Sequence, residues 1–234
     1  MSTPIAISVT VARLRVPASA ITGALTLLDE RELAAASTRT GDARRRYVAA
    51  HAAARVVIGT RLGTESAAVR LAVEPGGRPV IEGVAGVVFS MAHSGERAVI
   101  AIAVPGASVG VDVERVRSRP YLDGLARRVF DAAGYERWAA LPARRRARAF
   151  AARWTELEAV LKGRGTGLAG GLASAIDAPG WSCAPIDVGR GYVGAVAAEG
   201  SAIAVAVYEL DLADVLGRGL PSRCALTRRD GTAH

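Results

Sequence analysis

The chain has 234 residues, half of them hydrophobic, and a formal net charge of +8 at pH 7. This length and apolar fraction suffice for one large domain or for two lobes of about a hundred residues each. The sequence has neither a signal-peptide pattern nor a run of about 18 apolar residues, so we expect a soluble cytoplasmic protein without a membrane partner. Cys183 and Cys224 have no histidine at metal-ligand spacing, which predicts plain thiols.

The positive charge indicates an anionic partner, which composition alone leaves open among nucleic acid, a membrane surface, a phosphorylated small molecule and an acidic protein. Of the 30 basic residues, Lys162 is the only lysine. Such a bias towards arginine is typical of a high-GC genome, so part of the arginine content carries no functional message. A lysine retained against this bias is a candidate functional residue.

The first half of the chain predicts helices followed by a sheet. Residues 28–62 favour two helices with a break near Thr40 and Gly41. Residues 69–83 predict two short strands around a Pro-Gly-Gly turn, and residues 86–93 and 97–104 predict two further strands. We therefore expect a sheet with helices on one side.

The second half repeats this order. Arg119 to Arg153 is helical in composition, and a helix from about Trp154 to Leu161 is expected to stop at the following glycines, Gly163, Gly165 and Gly167. Two β-rich runs follow, and residues 201–208 correspond to residues 97–104 at a constant offset.

This repetition predicts an α+β fold of two similar lobes, a pseudo-dimer in which each lobe is a small antiparallel sheet packed with helices. We place the first lobe at residues 1–108 and the second, with the candidate metal and catalytic residues, at 109–216. Residues 217–234 lack periodicity and are expected to be a disordered tail.

The run Gly110 to Glu114 alternates in polarity. As a strand it sends its valines to one face and Asp112 and Glu114 to the other, with the two carboxylates about 7 Å apart. A cation between them relieves their repulsion, and oxygen ligands favour Mg²⁺ or Mn²⁺ over Zn²⁺. The simpler alternative is a solvated edge strand, and for an isolated Asp-x-Glu that alternative is the stronger one.

A second charged segment runs from Arg153 to Leu168. Glu158 and Lys162 are four residues apart and share a helix face, which in isolation indicates an ordinary i,i+4 ion pair. The glycine-rich exit, whose backbone amides can approach a phosphate, and the position of the only lysine favour a functional interpretation.

At these residues the chain resembles the 4′-phosphopantetheinyl transferase superfamily, in its large two-lobed type associated with peptide and polyketide synthetases, the surfactin-synthetase-activating type. That family is marked by a Gly-hydrophobic-Asp-hydrophobic-Glu strand, matched by Gly110 to Glu114. It is also marked by a Trp-[Ser/Thr] helix with Lys-Glu and a later Lys before a Gly-x-Gly-Leu end, matched by Trp154 to Leu168.

Three further segments resemble the family in order. They are the arginine-rich run from Arg44 to Arg55, the turn from Gly76 to Pro79 in place of Gly-Lys-Pro, and Ala92-His93-Ser94 in place of Ser-His-Ser. Ala92 and Leu157 depart from the family's serine and lysine. We expect these departures to affect substrate affinity more than reaction type.

The resemblance implies a reaction. A serine hydroxyl of a carrier protein attacks the β-phosphorus of coenzyme A, and adenosine 3′,5′-bisphosphate leaves. Asp112, Glu114 and Glu158 would hold Mg²⁺, with Mn²⁺ as the alternative. Asp112, Glu158 and Lys162 would be catalytic, with Glu158 as the base for the serine proton and Lys162 at the α-phosphate of coenzyme A.

The same comparison implies the coenzyme A contacts. His93 and an arginine of the 44–46 run, Arg46 or its neighbour Arg45, would hold the 3′-phosphate, and Arg78 would lie by the nucleotide. The simpler alternatives are a solvated helix face for the arginines and a hairpin cap for His93. His51 and His234 receive no role.

The implied partner is an acidic apo acyl or peptidyl carrier protein, served by a monomer that does not bind nucleic acid. Two other classes compete. The charge and the arginine runs 44–46 and 144–146 suggest a nucleic-acid-binding protein, but no binding motif is found and only 5% of the residues are aromatic. A coenzyme A-binding regulator without catalysis would fit Ala92 and Leu157, but not the retention of Asp112, Glu158 and Lys162.

Overall fold

The protein is described by a computed structural model that covers residues 3–74, 77–84, 86–103, 106–166, 171–176, 178–218 and 226–229. The strands in these ranges are β1 Ile5–Arg13, β2 Leu71–Val73, β3 Pro79–Ile81, β4 Val88–Ser94, β5 Arg97–Ala103, β6 Val109–Arg115, β7 Trp181–Ile186, β8 Tyr192–Glu199, β9 Ile203–Asp211 and β10 Thr227–Arg228.

The helices lie before, between and after these strands. They are α1 Ala18–Leu25, α2 Glu30–Ser37, α3 Gly41–Leu62, α4 Leu122–Val129, α5 Ala132–Ala139, α6 Ala143–Arg164, α7 Leu172–Ile176 and α8 Leu212–Gly217, with a 3₁₀ turn at Ser66–Ala68. Across the described residues, none of the helices has the length and apolar character needed to span a membrane.

Two sheets pack face to face between layers of helices. The larger sheet has the order β10-β9-β1-β5-β4 and the smaller β6-β8-β7, while β2 and β3 form a separate hairpin. Alternate residues of β1 point in opposite directions, so that Val9 and Val11 pack between the sheets while Ala12 packs against the α3 layer. On the other side, α4 to α6 pack against Ala195 and Ala197 of β8.

The small residues of α3 explain how close this helix lies to its sheet. Ala49, Ala50 and the run Ala52 to Ala54 are fully buried. Alanine loses no side-chain entropy on burial and favours a helix, so a face of alanines packs closely at low cost. The N-terminal part of α3 contacts the turn between β4 and β5, where Arg46 bonds to Glu96.

The structure confirms the α+β class and most predicted elements. Helices α2 and α3 are separated at residues 38–40, and the four strands predicted between residues 69 and 104 correspond to β2, β3, β4 and β5. The prediction for the next helix was wrong at its start, because α6 runs without a break from Ala143 through Trp154. It was also wrong about Gly163, which lies inside α6, whereas Gly165 ends the helix with a left-handed φ of 70°.

The two-lobe division stays a prediction, and one strand crosses it. β9 comes from the proposed second lobe but pairs in parallel with β1 of the first, from Ile5 with Ile203 to Arg13 with Asp211. The repeated segments 97–104 and 201–208 therefore flank the same strand, with β5 antiparallel to β1 and β9 parallel. The sheet that contains β1 is therefore mixed, whereas an antiparallel sheet was predicted. The two long helices, α3 and α6, are each 22 residues and lie on opposite outer sides.

The disorder predicted for the tail, residues 217–234, stays a prediction, and the structure describes only part of that segment. Leu212–Gly217 forms α8, and Thr227 and Arg228 pair with Glu209 and Tyr208 of β9. Residues 219–225 and 230–234 lie outside the described residues. Arg229 continues this contact through an ion pair with Glu209.

Candidate functional site

The candidate site begins where β6 lies under α6. As predicted, Val109, Val111 and Val113 enter the core between the two sheets. Gly110 faces α6 so closely that a Cβ there would collide with the Ala159 carbonyl oxygen and the Gly163 amide. The absence of a side chain at Gly110 is therefore what lets α6 rest on the strand.

Asp112 is the buried centre of the site. Its side chain is 8% exposed, and its Oδ1 accepts a hydrogen bond from Lys162 Nζ at 2.5 Å. Its Oδ2 is buried without a hydrogen-bond partner among the described residues. Burial raises the pKa of Asp112 to about 6 against the opposing charge of Lys162, and Glu114 and Glu158 raise it further.

Glu158 and Glu114 lie within electrostatic reach of Asp112. Burial raises the pKa of the half-buried Glu158; the charge of Lys162 opposes this rise and that of Glu114 adds to it. Glu114 Oε2 accepts a hydrogen bond from Ser94 Oγ at 2.9 Å. The structure thus brings the three predicted carboxylates and Lys162 together from β6 and α6.

Lys162 forms a long-range ion pair in place of the i,i+4 pair that its spacing from Glu158 indicates in isolation. Lys162 Nζ pairs with Asp112, fifty positions away in sequence, while its charge acts on Glu158 without an ion-pair contact among the described residues. The reason lies in burial, because Asp112 is almost completely enclosed and has the greater need of a counter-charge.

The carboxylates suit a hard cation in their chemistry. All their donor atoms are oxygens, and no donor among the described residues bonds to the buried Asp112 Oδ2. Within the described ranges, no three histidine, cysteine, aspartate or glutamate side chains already form a metal-binding group. Lys162 Nζ takes the place beside Asp112 Oδ1. These carboxylates therefore supply donor atoms that suit Mg²⁺ or Mn²⁺. A metal ion would compete with the Lys162 ammonium group for Asp112.

His93 lies on the opposite face of β4 from its two neighbours in sequence. Its cross-strand partner Ala98 is buried in the α3 core, which places His93 on the α3 side. Ala92 faces the core between the sheets, and Ser94 faces Glu114. The segment 92–94 thus contributes one side chain towards α3 and one towards the carboxylates.

A group of cations surrounds His93. Although the side chain of His93 is exposed, the surrounding protein partly excludes water from the ring and lowers its pKa to about 4, and the nearby groups His51, Lys162, Arg39 and Arg46 lower it further by electrostatic repulsion. The ring is therefore neutral near pH 7 in a positively charged recess, which is a suitable place for an anion.

The structure separates the predicted arginines of α3. Arg46 Nε donates to Glu96 Oε1 at 3.0 Å, and its other end lies 3.4 Å from Asp42, so it faces the β4–β5 hairpin. Arg45 pairs with Asp42 and with no other acidic residue in the described part of the chain. Arg46 is thus the member of the 44–46 run that lies by the His93 recess.

Arg78 reaches the same region from the β2–β3 hairpin. A Cβ on Gly165 would lie 3.5 Å from Arg78 Cδ, which places this side chain at the end of α6, one turn after Lys162. Of the motif residues at these two turns, Gly76, Gly167 and Leu168 lie outside the described residues.

The two departures from the family pattern both lie in cores. Leu157 is fully buried between α6 and the small sheet, and Ala92 is 7% exposed between the sheets. A hydrophobic residue suits the enclosed position of Leu157, where an unpaired charge would be costly.

Sequence reasoning missed the contacts that connect the two sheets. Ser94 Oγ accepts from the Arg115 amide as well as donating to Glu114, and Tyr192 Oη accepts from the Glu96 amide at 3.0 Å. Only the fold reveals these contacts, because each joins residues about 20 to 100 positions apart.

Comparisons with known proteins agree with this location. Residues 108–211 match the family model described as the 4′-phosphopantetheinyl transferase superfamily. The chain is 33% identical over 129 residues to the 4′-phosphopantetheinyl transferase HetI of Nostoc, a match that covers 54% of each chain. It is 35% identical over 101 residues to the 4′-phosphopantetheinyl transferase psf-1 of Bacillus pumilus, covering 43% of this chain and 42% of that one.

A third relative is a putative 4′-phosphopantetheinyl transferase of Synechocystis, 34% identical over 88 residues, which are 38% of this chain and 35% of the relative. The matches span about half the length of the first relative and less of the other two. They support the resemblance at superfamily level. Asp112, Glu114, Glu158 and Lys162 all lie inside the residues that match the family model.

Proposed function

We propose that this chain, whose residues 108–211 match the 4′-phosphopantetheinyl transferase superfamily, moves phosphopantetheine from coenzyme A to a serine of an apo carrier protein. The observation that carries the proposal is the buried Asp112–Lys162 pair beside Glu114 and Glu158, within the matched segment. Such a transfer needs carboxylate oxygens to bind a divalent cation and an ammonium group to bind a phosphate.

Coenzyme A would lie across the recess between α3, β4 and α6. His93 and Arg46 would contact its 3′-phosphate, with Arg45 at the edge, and Arg78 would lie by the nucleotide. Asp112, Glu114 and Glu158 would hold Mg²⁺, or Mn²⁺ in its place. When bound, the cation supplies charge neutralisation for the diphosphate.

The protein's own residues would carry the proton and orient the leaving group. Glu158 is the candidate base for the serine hydroxyl, and its raised pKa suits this role because a carboxylate with a higher pKa accepts a proton more readily. The serine oxygen bonds to the β-phosphorus as the bond to the bridging oxygen breaks. Lys162 would stabilise the adenosine 3′,5′-bisphosphate that leaves.

A carrier protein must approach Glu158 from solvent. Exposed Arg115, Arg117 and Arg119 lie beside Glu114 at one rim of the site. Such a basic rim suits an acidic partner through charge complementarity. We propose that the chain acts as a monomer in the cytoplasm, and that its positive charge serves coenzyme A and the carrier rather than nucleic acid.

The test is direct. The purified chain is incubated with coenzyme A, Mg²⁺ and a panel of apo acyl and peptidyl carrier proteins, and each carrier is weighed intact. The proposal predicts a gain of one phosphopantetheine group on at least one carrier. A carrier whose acceptor serine is replaced by alanine should gain nothing. No gain on any carrier that a known transferase modifies in parallel would contradict the proposal.

A further inference from the structure

A cavity lies on the α3 side of the larger sheet, apart from the carboxylates of the candidate site. Its volume is about 630 Å³, which is in the usual range for a small-molecule site. The parallel register of β1 and β9 forms the floor, where Ala6 lies beside Ala204 and Ser8 beside Ala206. Their neighbour Ile7 packs between the two sheets, so these four short side chains face the α3 side.

Two elements form the walls of this cavity. Val57 and Arg61, in the last two turns of α3, line it on one side. Strand β10 lies at the edge of the sheet next to β9, and Leu226 and Arg228 line the cavity there. The cavity is therefore a trough between the end of α3 and β10.

The lining of the trough is mainly apolar. Most of the lining residues are aliphatic, and Ser8, Thr10 and Tyr208 add hydroxyl groups. Thr10 and Tyr208 lie side by side in the register of β1 and β9. From residue 6 to residue 10 the floor runs about 13 Å along the strands. A trough of this length, floored by short side chains, suits an unbranched apolar chain.

Two cations of the lining have no counter-charge. Arg61 and Arg228 are exposed, and no aspartate or glutamate is among the described residues that line the cavity. Glu209, which lies beside β10, pairs instead with Arg13 and Arg229. Unpaired guanidinium groups beside an apolar cavity favour an anion, and a carboxylate matches the planar fork of a guanidinium with two parallel hydrogen bonds.

We propose that this trough is a second ligand site, which binds an aliphatic carboxylate. The chain of the ligand lies along the floor of β1 and β9, where burial of its apolar surface favours binding. Its head group pairs with the guanidinium groups of Arg61 and Arg228. The site shares no residue with the proposed transferase site, so the inference does not depend on that function.

Two variants separate the head group of the ligand from its chain. Arg61→Met/Arg228→Met removes both cations of the lining and keeps much of their apolar length. Ala206→Leu adds bulk to the floor and leaves the cations in place. Arg144→Met/Arg145→Met removes two exposed cations at the start of α6, and it is the matched control for net charge.

Calorimetric titration of the full chain with octanoate, octanol and octylammonium compares three head groups on one chain. Wild type and Arg144→Met/Arg145→Met should bind a single octanoate about tenfold more tightly than octanol, and octylammonium more weakly still. In Arg61→Met/Arg228→Met the affinity for octanoate should fall about tenfold, while that for octanol stays within about twofold. Ala206→Leu should weaken the binding of both. Saturating coenzyme A should leave octanoate binding to wild type unchanged.

Equal affinity of wild type for octanoate and octanol, or no saturable octanoate binding, would overturn the inference. Unchanged octanoate binding in Arg61→Met/Arg228→Met would overturn it as well. Displacement of octanoate by coenzyme A would assign the carboxylate to the recess of the proposed function and so remove the second site. Melting temperatures of each variant establish that the chain is folded.

Discussion

The ammonium group of Lys162 lies 2.5 Å from the carboxylate of Asp112, although the two residues belong to different elements and are fifty positions apart. A carboxylate as buried as that of Asp112 needs a counter-charge, and Lys162 supplies it. Under the proposed function the same carboxylate holds a metal and the same lysine contacts a phosphate. The pair therefore connects the two binding events.

Removal of the lysine should strengthen metal binding. In Lys162→Met the carboxylate of Asp112 loses its competing ammonium group, so Mn²⁺ should bind several-fold more tightly when coenzyme A is absent. Titration of Mn²⁺ followed by electron paramagnetic resonance measures this affinity. Arg164→Met removes a nearby cation that bonds to the Ser174 carbonyl, and it is the control for net charge. Unchanged or weaker Mn²⁺ binding in Lys162→Met would contradict this competition.

Replacement of the lysine by arginine should impair turnover. Lys162→Arg keeps the charge but substitutes a broad planar group for a compact one that can give up a proton. We expect kcat to fall by about tenfold or more, equivalent to at least roughly 1.4 kcal/mol of barrier, and Lys162→Ala to lose at least as much. Steady-state kinetics with near-normal kcat and KM for Lys162→Arg would reduce the residue to a generic positive charge.

The contact between β6 and α6 should be intolerant of any side chain at Gly110. Gly110→Ala forces a Cβ into the backbone of α6 at Ala159, so we expect a loss of about 3 kcal/mol or more in the free energy of unfolding. Gly124→Ala, which has open space around it in α4, should change stability little or raise it by up to about 1 kcal/mol. Denaturant unfolding that ranks the two variants equally would show that α6 can move away.

Acidification should destabilise the protein partly through His93. Its pKa is about 4 in the folded protein, below its ordinary value of 6.5, so the unfolded chain binds the proton more tightly. Stability is therefore lost as the pH falls from about 7 towards about 4. His93→Gln should lose less of its free energy of unfolding across this window than wild type, as measured by urea unfolding at each pH. If the free energy of unfolding of wild type and of His93→Gln fell in parallel with pH, a contribution of His93 would be excluded.

Much of the fold follows from local pattern. The alternation of valines and acids in β6 is visible in the sequence, as are the break between α2 and α3 and the four strands before residue 104. The parallel pairing of β9 with β1 is not visible, because a sheet accepts a strand in either direction wherever its apolar face fits. The start of α6 was also missed, because residues 119–153 are helical throughout in composition.

The site could be predicted in its residue types but not in its connections. Motif spacing selected Asp112, Glu158 and Lys162 as candidates, and spacing alone paired Lys162 with Glu158 on its own helix. The actual pair with Asp112 depends on burial, which sequence spacing does not contain. His51 stands in an alanine-rich helix, and no sequence signal predicts its contact with Glu32, 19 positions away.

The central claim is that the carboxylates on β6 and α6 serve metal-dependent phosphopantetheinyl transfer, and intact mass spectrometry of an apo carrier tests it most directly. With coenzyme A and Mg²⁺, wild type should add one phosphopantetheine group, lose this activity in excess chelator and regain it with Mg²⁺ or Mn²⁺. Asp112→Ala and Glu158→Ala should leave the carrier almost unmodified while remaining folded, and Glu114→Ala should be milder because water can replace that ligand. Full modification of the carrier by Asp112→Ala or by the chelated wild-type protein would contradict the claim.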